Sequence, residues 1–165
     1  MTGDDNTISA LNEALKQERT LADCFGGYRD YFTRWRIHRL ESWMRWNAEA
    51  SSKRVEALQI RINELDTIPS TDRYDFDLEA VTPADVGADR IPAFEYFRQS
   101  LTDAAAAYEA ARKAANDADD SVSAHLAGSH KREIEDTLQR VEAKICKVEL
   151  VGAALYLAEH MHQLK

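Results

Sequence analysis

The sequence is short of the residues that punctuate turns: its 165 residues hold three Pro and six Gly. An all-β sandwich needs a tight turn every few residues, so this composition argues against one. Cysteine is nearly absent too. Cys24 and Cys146 stand far apart and neither belongs to a Cys-x-x-Cys pair, which excludes a zinc knuckle and a thioredoxin-type redox motif. A reduced chain is the simpler reading, with a distant disulfide as the alternative. No apolar run approaches the roughly 20 residues of a membrane span. The polar, acidic opening MTGDDNTISA does not read as a signal peptide, so the expected location is cytoplasmic. Positive charge is in deficit: 21 Lys and Arg face 29 Asp and Glu, a net charge of −8. That balance disfavours a nucleic-acid grip, which needs clustered positive charge, and suits a soluble protein that attracts cations. No Gly-rich phosphate loop or Gly-x-Ser-x-Gly appears, and Cys24 has no His nearby in the sequence, so nucleophilic catalysis lacks a motif.

What is present is helical periodicity. Ile8, Leu11, Leu15, Ala22, Phe25 and Phe32 recur at helical spacing and predict a helix over about 5–35, capped by Asp4 or Asp5. Gly26-Gly27 inside it would cost an isolated helix about 2 kcal/mol against Ala, which predicts close packing or a bend there. Leu40, Met44, Val55, Leu58, Ile62 and Leu65 mark a second helix over about 37–65, widened by Trp43 and Trp46. It ends before Pro69, because a proline biases the residue before it away from helical geometry. The short turn between the two makes them antiparallel neighbours. Residues 66–91 hold Pro83, Gly87, Tyr74, Phe76 and an acidic run of Asp72, Asp75, Asp77, Glu79, Asp85 and Asp89. Such a segment is too long for a tight turn and reads as a solvated crossover along a bundle. Pro92 suits the first turn of a third helix over about 92–116. After the polar break 116–120, a fourth helix is predicted over about 121–147 and a short fifth over 152–161, parted by a kink at Gly152. The fold expected is all-α: one domain over 1–165, a ferritin-like four-helix bundle with one long crossover and a short C-terminal fifth helix.

The N-terminal part resembles bacterioferritin. That family opens with Met-x-Gly-Asp, an apolar residue, then Leu-Asn-x-x-Leu-x-x-Glu; here Met1, Gly3, Asp4, Ile8, Leu11, Asn12, Leu15 and Glu18 take those places. Trp35, Arg39 and Leu40 fall on the family's Trp and its Arg-Leu pair at the helix turn, and Arg61, Ile62, Leu65 and Pro69 match its second-helix end. The likeness covers about 1–70 and returns weakly near Val122 and at Gly152 and Tyr156. Dps-type mini-ferritins match less well, because their first-helix His and Trp are missing. The resemblance implies a hollow multi-subunit shell storing mineralised iron, with haem between subunit pairs. It also implies a two-iron centre held by a Glu from one helix, Glu-x-x-His from the next, a Glu from the third and Glu-x-x-His from the fourth. Spacing of i, i+3 puts Glu and His on one helical face, and an oxygen-rich donor set suits iron.

Glu18 stands at the first ligand position of that set. The second fails: where the family reads Glu-Met-Lys-His, this chain reads Ser51-Ser52-Lys53-Arg54. Both ligands are gone, and the haem Met is Ser52, so haem is not expected. The third-helix Glu falls near Leu101, with Asp103 and Glu109 as the nearest carboxylates. The fourth helix offers His130-Lys131-Arg132-Glu133, in reversed order, while Ile134 and Thr137 occupy the family's ligand positions one turn on.

Metal-free, a carboxylate in a bundle core costs several kcal/mol unless paired. Arg54 in place of a His repairs that imbalance and predicts a Glu18–Arg54 salt bridge across the first two helices. The candidate metal residues are Glu18, His130 and Glu133, with iron the metal they would take; no cofactor is firmly predicted. His130–Glu133 and His38–Glu41 read first as surface hydrogen bonds, and the tail with His160 and His162 as a frayed end that could hold metal adventitiously. Trp43 and Trp46 read as interface, and His125 as facing a partner subunit. Arg29, Arg34, Arg36, Arg39 and Arg45, interleaved with aromatics, read as contacts to acidic neighbouring subunits.

The function expected is a divergent bacterioferritin-like cage subunit associated with iron storage, lacking its own ferroxidase centre and haem site. It would be a homo-oligomer or co-assemble with an active bacterioferritin subunit, with no nucleic-acid or membrane partner. Two alternatives stand beside it. One is a di-metal oxidase with a site rebuilt from Glu18, Asp103, His130 and Glu133. The other is a non-cage dimeric binding protein on the same bundle.

Overall fold

The computed structural model describes residues 3–74 and 90–161. Five helices follow in order: α1 Gly3–Arg34, α2 His38–Glu64, α3 Pro92–Asp117, α4 Ser121–Val151 and α5 Ala153–Met161. Asp4 and Asp5 open α1 and Arg34 closes it, charges that complement the helix dipole. The turn into α2 satisfies the last carbonyls of α1: Ile37 N–H donates to Phe32 O at 2.9 Å and Arg36 N–H to Thr33 O at 3.1 Å. This is a Schellman closure with Arg36 in the left-handed region at φ 58°, a place that glycine usually fills. The same geometry recurs between α3 and α4, with Asp119 at φ 56°. Asp120 then caps α4 by accepting from Ser123 N–H at 3.0 Å. Arg61, in the last turn of α2, donates to Asp120 at 2.9 Å and to Ser123 Oγ at 2.8 Å, tying the end of α2 to the start of α4.

The expected four-helix bundle with a short fifth helix is what forms. α1 packs on α2 and on α3, and α3 packs on α4. The buried faces carry Leu11, Leu15 and Phe25 of α1, Met44 and Leu58 of α2, Phe97 and Leu101 of α3, and Ile134 and Val141 of α4. Near the α1–α2 turn the core is aromatic: Phe25 stacks on Phe97 at 4.7 Å, and Tyr28 and Trp43 meet Phe97 edge-on at 5.0 and 6.4 Å. Edge-on and offset contacts suit the ring quadrupoles. Trp43 therefore belongs to the core packing rather than to a bare interface, whereas Trp46 stays 55% exposed. α1 runs unbroken through Gly26, and a methyl added there would meet nothing within 4 Å; close approach is not what that glycine serves.

α4 continues to Val151, past the predicted end at 147, and stops at Gly152 with φ 84°. Glycine alone enters that region without a side-chain penalty. α5 then turns back against α4 and α2. The beginning of the crossover lies along α1. Asn12 Oδ1 accepts from Ser70 N–H and Thr20 Oγ1 from Tyr74 N–H, both at 2.9 Å, and Arg73 pairs with Asp23 at 2.6 Å. The remainder of the predicted 66–91 crossover, with Asp75 through Asp89, lies outside the described residues. Among the described residues no helix is long and apolar enough to cross a membrane.

Candidate functional site: a charge network across the bundle

Four helices each send polar side chains to one point at mid-bundle. α1 supplies Glu18, which is fully buried. α2 supplies Ser51 and Arg54, one turn apart on the inner face and both buried. α3 supplies Tyr108, and α4 supplies His130 and Glu133. The Arg54 guanidinium is engaged on all sides. Its Nε donates to Glu18 Oε1, its Nη2 to Ser51 Oγ at 3.0 Å and its Nη1 to Glu133 Oε2 at 3.2 Å. The Tyr108 hydroxyl donates to the same Glu18 oxygen at 2.6 Å. The salt bridge expected between Glu18 and Arg54 is therefore present.

The electrostatics follow from burial. Desolvation pushes the Glu18 carboxyl above its usual range, and the Arg54 charge and the Arg54 and Tyr108 hydrogen bonds pull it part of the way back. Desolvation also raises the Tyr108 phenol well above its ordinary value, and the Glu18 charge adds to it, so this hydroxyl stays a donor. His130 is held down to about 4 by burial, with Glu133 opposing and Arg54 assisting. It is a neutral imidazole at ordinary pH, edge-on to Tyr108 at 5.3 Å. Its Nδ1 is buried without a partner, as is Glu18 Oε2.

α2 and α4 are not among the closely packed helix pairs, and a groove of about 470 Å³ runs between them. Trp46, Glu49 and Lys53 flank it on α2, Asp136 and Arg140 flank it on α4, and Arg54, His130 and Glu133 line it as well. It joins the charge network to the surface.

Several expectations are corrected here. His130 is buried and Glu133 bonds to Arg54, so the two do not form a surface pair. Ile134 packs in the apolar core, and the Thr137 hydroxyl turns back to Glu133 O at 3.1 Å; the polar face of α4 thus comes one turn before the ligand positions that the best gap placement assigns to Ile134 and Thr137. Asp103 is exposed and accepts from Gln99 at 2.9 Å, so it does not join Glu18, and the four-residue rebuilt site does not assemble. Glu109, next to Tyr108, faces outward between Arg112 at 2.6 Å and Lys131 at 3.1 Å, which hold its carboxyl down to about 2. The predicted His38–Glu41 bond is not among those formed by the described residues; Ser42 donates to Glu41 at 3.4 Å. His160 is not frayed. Its Nδ1 lies 2.7 Å from Tyr156 O and its ring stacks on Tyr156 at 4.1 Å, while His162 lies outside the described residues. Cys24 and Cys146 are both free, and burial raises the Cys24 thiol well above its ordinary range.

The donor set does not fit a two-metal centre. α2 presents a hydroxyl and a cation, α3 presents a phenol, and Glu18 already accepts from Arg54 and Tyr108. Among the described residues no group of three or more His, Cys, Asp or Glu is placed to hold a metal ion. A family model described as a ferritin-like domain matches residues 8–151 of the chain. No curated protein matches it.

Proposed function

Because the chain belongs to the ferritin-like family, we propose that it is a bacterioferritin-like cage subunit associated with iron storage that supplies shell wall rather than oxidation chemistry. One observation carries this reading: a buried guanidinium, bonded to Glu18, Ser51 and Glu133, occupies the centre of the bundle. A fixed cation there repels a metal ion and offsets the charge of Glu18, so the bundle no longer needs iron to neutralise its core. Ser52, in place of the haem Met, is an exposed hydroxyl and no ligand for haem iron. In this reading the shell forms in the cytoplasm, from this chain alone or mixed with a subunit that retains its oxidation centre.

A second reading keeps Glu18, His130 and Glu133 as metal ligands of an oxidase. It is favoured by the two buried atoms without partners, Glu18 Oε2 and His130 Nδ1. Titration with iron(II) in air, followed optically, separates the two. The cage-wall reading expects oxidation no faster than the spontaneous rate. Faster oxidation that is lost in Glu18→Ala would replace it with the oxidase. Native mass measurement at physiological salt tests the cage itself, and a plain dimer there would leave a helical-bundle binding protein instead.

A further inference from the structure

A second cleft, of about 540 Å³, lies where α5 folds back over α2 and α4. Four cations line it: Arg39 from α2, and Arg140, Lys144 and Lys147 from α4. Glu159 is the one carboxylate among its lining residues. On a chain with a net charge of −8, this is a local reversal of sign. None of the four cations forms an ion pair among the described residues. Lys144 instead sits over the Trp43 ring at 4.8 Å, and Arg140 over Trp46 at 5.9 Å.

Two further residues line the same space. Tyr156 is 2% exposed and lines the cleft, yet its buried hydroxyl has no hydrogen-bond partner. A buried hydroxyl left unsatisfied is costly, and such groups are normally met by a protein atom, a water or a ligand. His160 also lines the cleft, stacked on Tyr156 with Nδ1 committed to a backbone carbonyl, which leaves Nε2 as its free ring nitrogen. Burial, followed by the charges of Lys144 and Arg39, lowers the proton affinity of His160. Burial and Arg140 do the same to Lys144. Glu159 is the one negative charge lining the cleft that opposes these cations.

We propose that this cleft binds a small oxyanion of the phosphate class, carrying two or more negative charges, held by Arg39, Arg140, Lys144 and Lys147 with the Tyr156 hydroxyl donating to it. A single carboxylate would be satisfied by one arginine. Four cations and a donor hydroxyl match a ligand with several charged oxygens, and the two guanidinium forks suit tetrahedral oxyanions. The ligand is free phosphate or pyrophosphate, or the phosphate end of an organic molecule whose ring packs on Trp43.

Calorimetric titration of the whole protein at physiological salt tests this, with orthophosphate, pyrophosphate and adenosine diphosphate as probes. Saturable binding of pyrophosphate is expected. The double variant Arg39→Gln/Lys147→Gln should weaken it roughly tenfold or more, and Tyr156→Phe several-fold with the fold intact by circular dichroism. Exposed Lys113 lies outside the cleft, and Lys113→Gln should leave the affinity unchanged. Tighter binding of adenosine diphosphate than of pyrophosphate assigns the site to a phosphorylated organic ligand, and equal or weaker binding assigns it to the free anion. Absence of saturable binding by any probe overturns the proposal. So does wild-type affinity in the double variant. A third overturning result is loss of assembly in that variant without any phosphate binding in the parent, which would give the cations to an acidic face of a second copy. None of these outcomes depends on the iron titration.

Discussion

The middle of the bundle and the cleft under α5 both gather charge, and they treat it in opposite ways. At mid-bundle each charge meets its complement. Arg54 is bonded to Glu18 and Glu133, and Tyr108 adds a hydrogen bond to the same carboxylate. Under α5 four cations face one carboxylate, and a buried tyrosine hydroxyl goes unused. Charge neutralised inside a protein holds helices in register. Charge left open at a surface cavity is available to something else. The difference separates a stabilising element from a binding one within a single chain, without reference to what either site descends from.

The largest effect expected follows from removing one partner of the buried pair. Arg54→Ala leaves Glu18 buried and uncompensated, which costs about 3–5 kcal/mol; Arg39→Ala, at the exposed rim of the other cleft, should stay within about 0.5 kcal/mol. Urea denaturation of the two variants against the parent measures both, and equal losses would erase the distinction. His130 supplies the next largest. In the folded protein it stays neutral down to pH about 4, whereas its ordinary value is 6.5. Between those values the unfolded chain binds the proton and the folded one does not, so stability falls as the pH falls through that window. The loss approaches about 3 kcal/mol below pH 4, and His130→Gln should remove that part of the pH dependence in thermal melts taken across the range. The smallest contrast compares two tyrosines. Tyr108→Phe removes the donor to Glu18 and should cost about 1–3 kcal/mol, while Tyr156→Phe removes a hydroxyl with no protein partner and should be near neutral. A Tyr156→Phe loss matching that of Tyr108→Phe, read by the same denaturation, would mean that an internal partner satisfies the Tyr156 hydroxyl.

The pairing of Glu18 with Arg54 is legible in the sequence because the family resemblance puts both at ligand positions of the first two helices, where charge balance asks for a cation. An antiparallel hairpin of two long helices has little freedom in register, and a buried carboxylate demands a cation. Tyr108 could not be found that way. α3 follows a long connection that imposes no register on it, so the family's third-helix Glu falls near Leu101, with Asp103 and Glu109 as the nearest carboxylates. The structure buries Leu101 in the core, leaves Asp103 exposed and brings the phenol two turns on to Glu18. The same freedom moved the polar face of α4 by a turn, to His130 and Glu133. One signal was available: Tyr108, a residue with a hydroxyl to satisfy, falls on the apolar stripe of its helix among alanines.

Helical period, the scarcity of turn formers, and the proline and glycine at the ends of elements were enough to specify five helices and a bundle, because these are local properties of backbone and side chain. Likeness to a family's opening motif marked Glu18, and charge balance marked its partner. How the second hairpin slides against the first was settled by packing between residues far apart in the chain, and so was the return of α5 over α2. Those long-range contacts decide that a tyrosine meets Glu18, that a histidine is kept neutral, and that Arg39 of α2 joins three cations of α4 around one cavity.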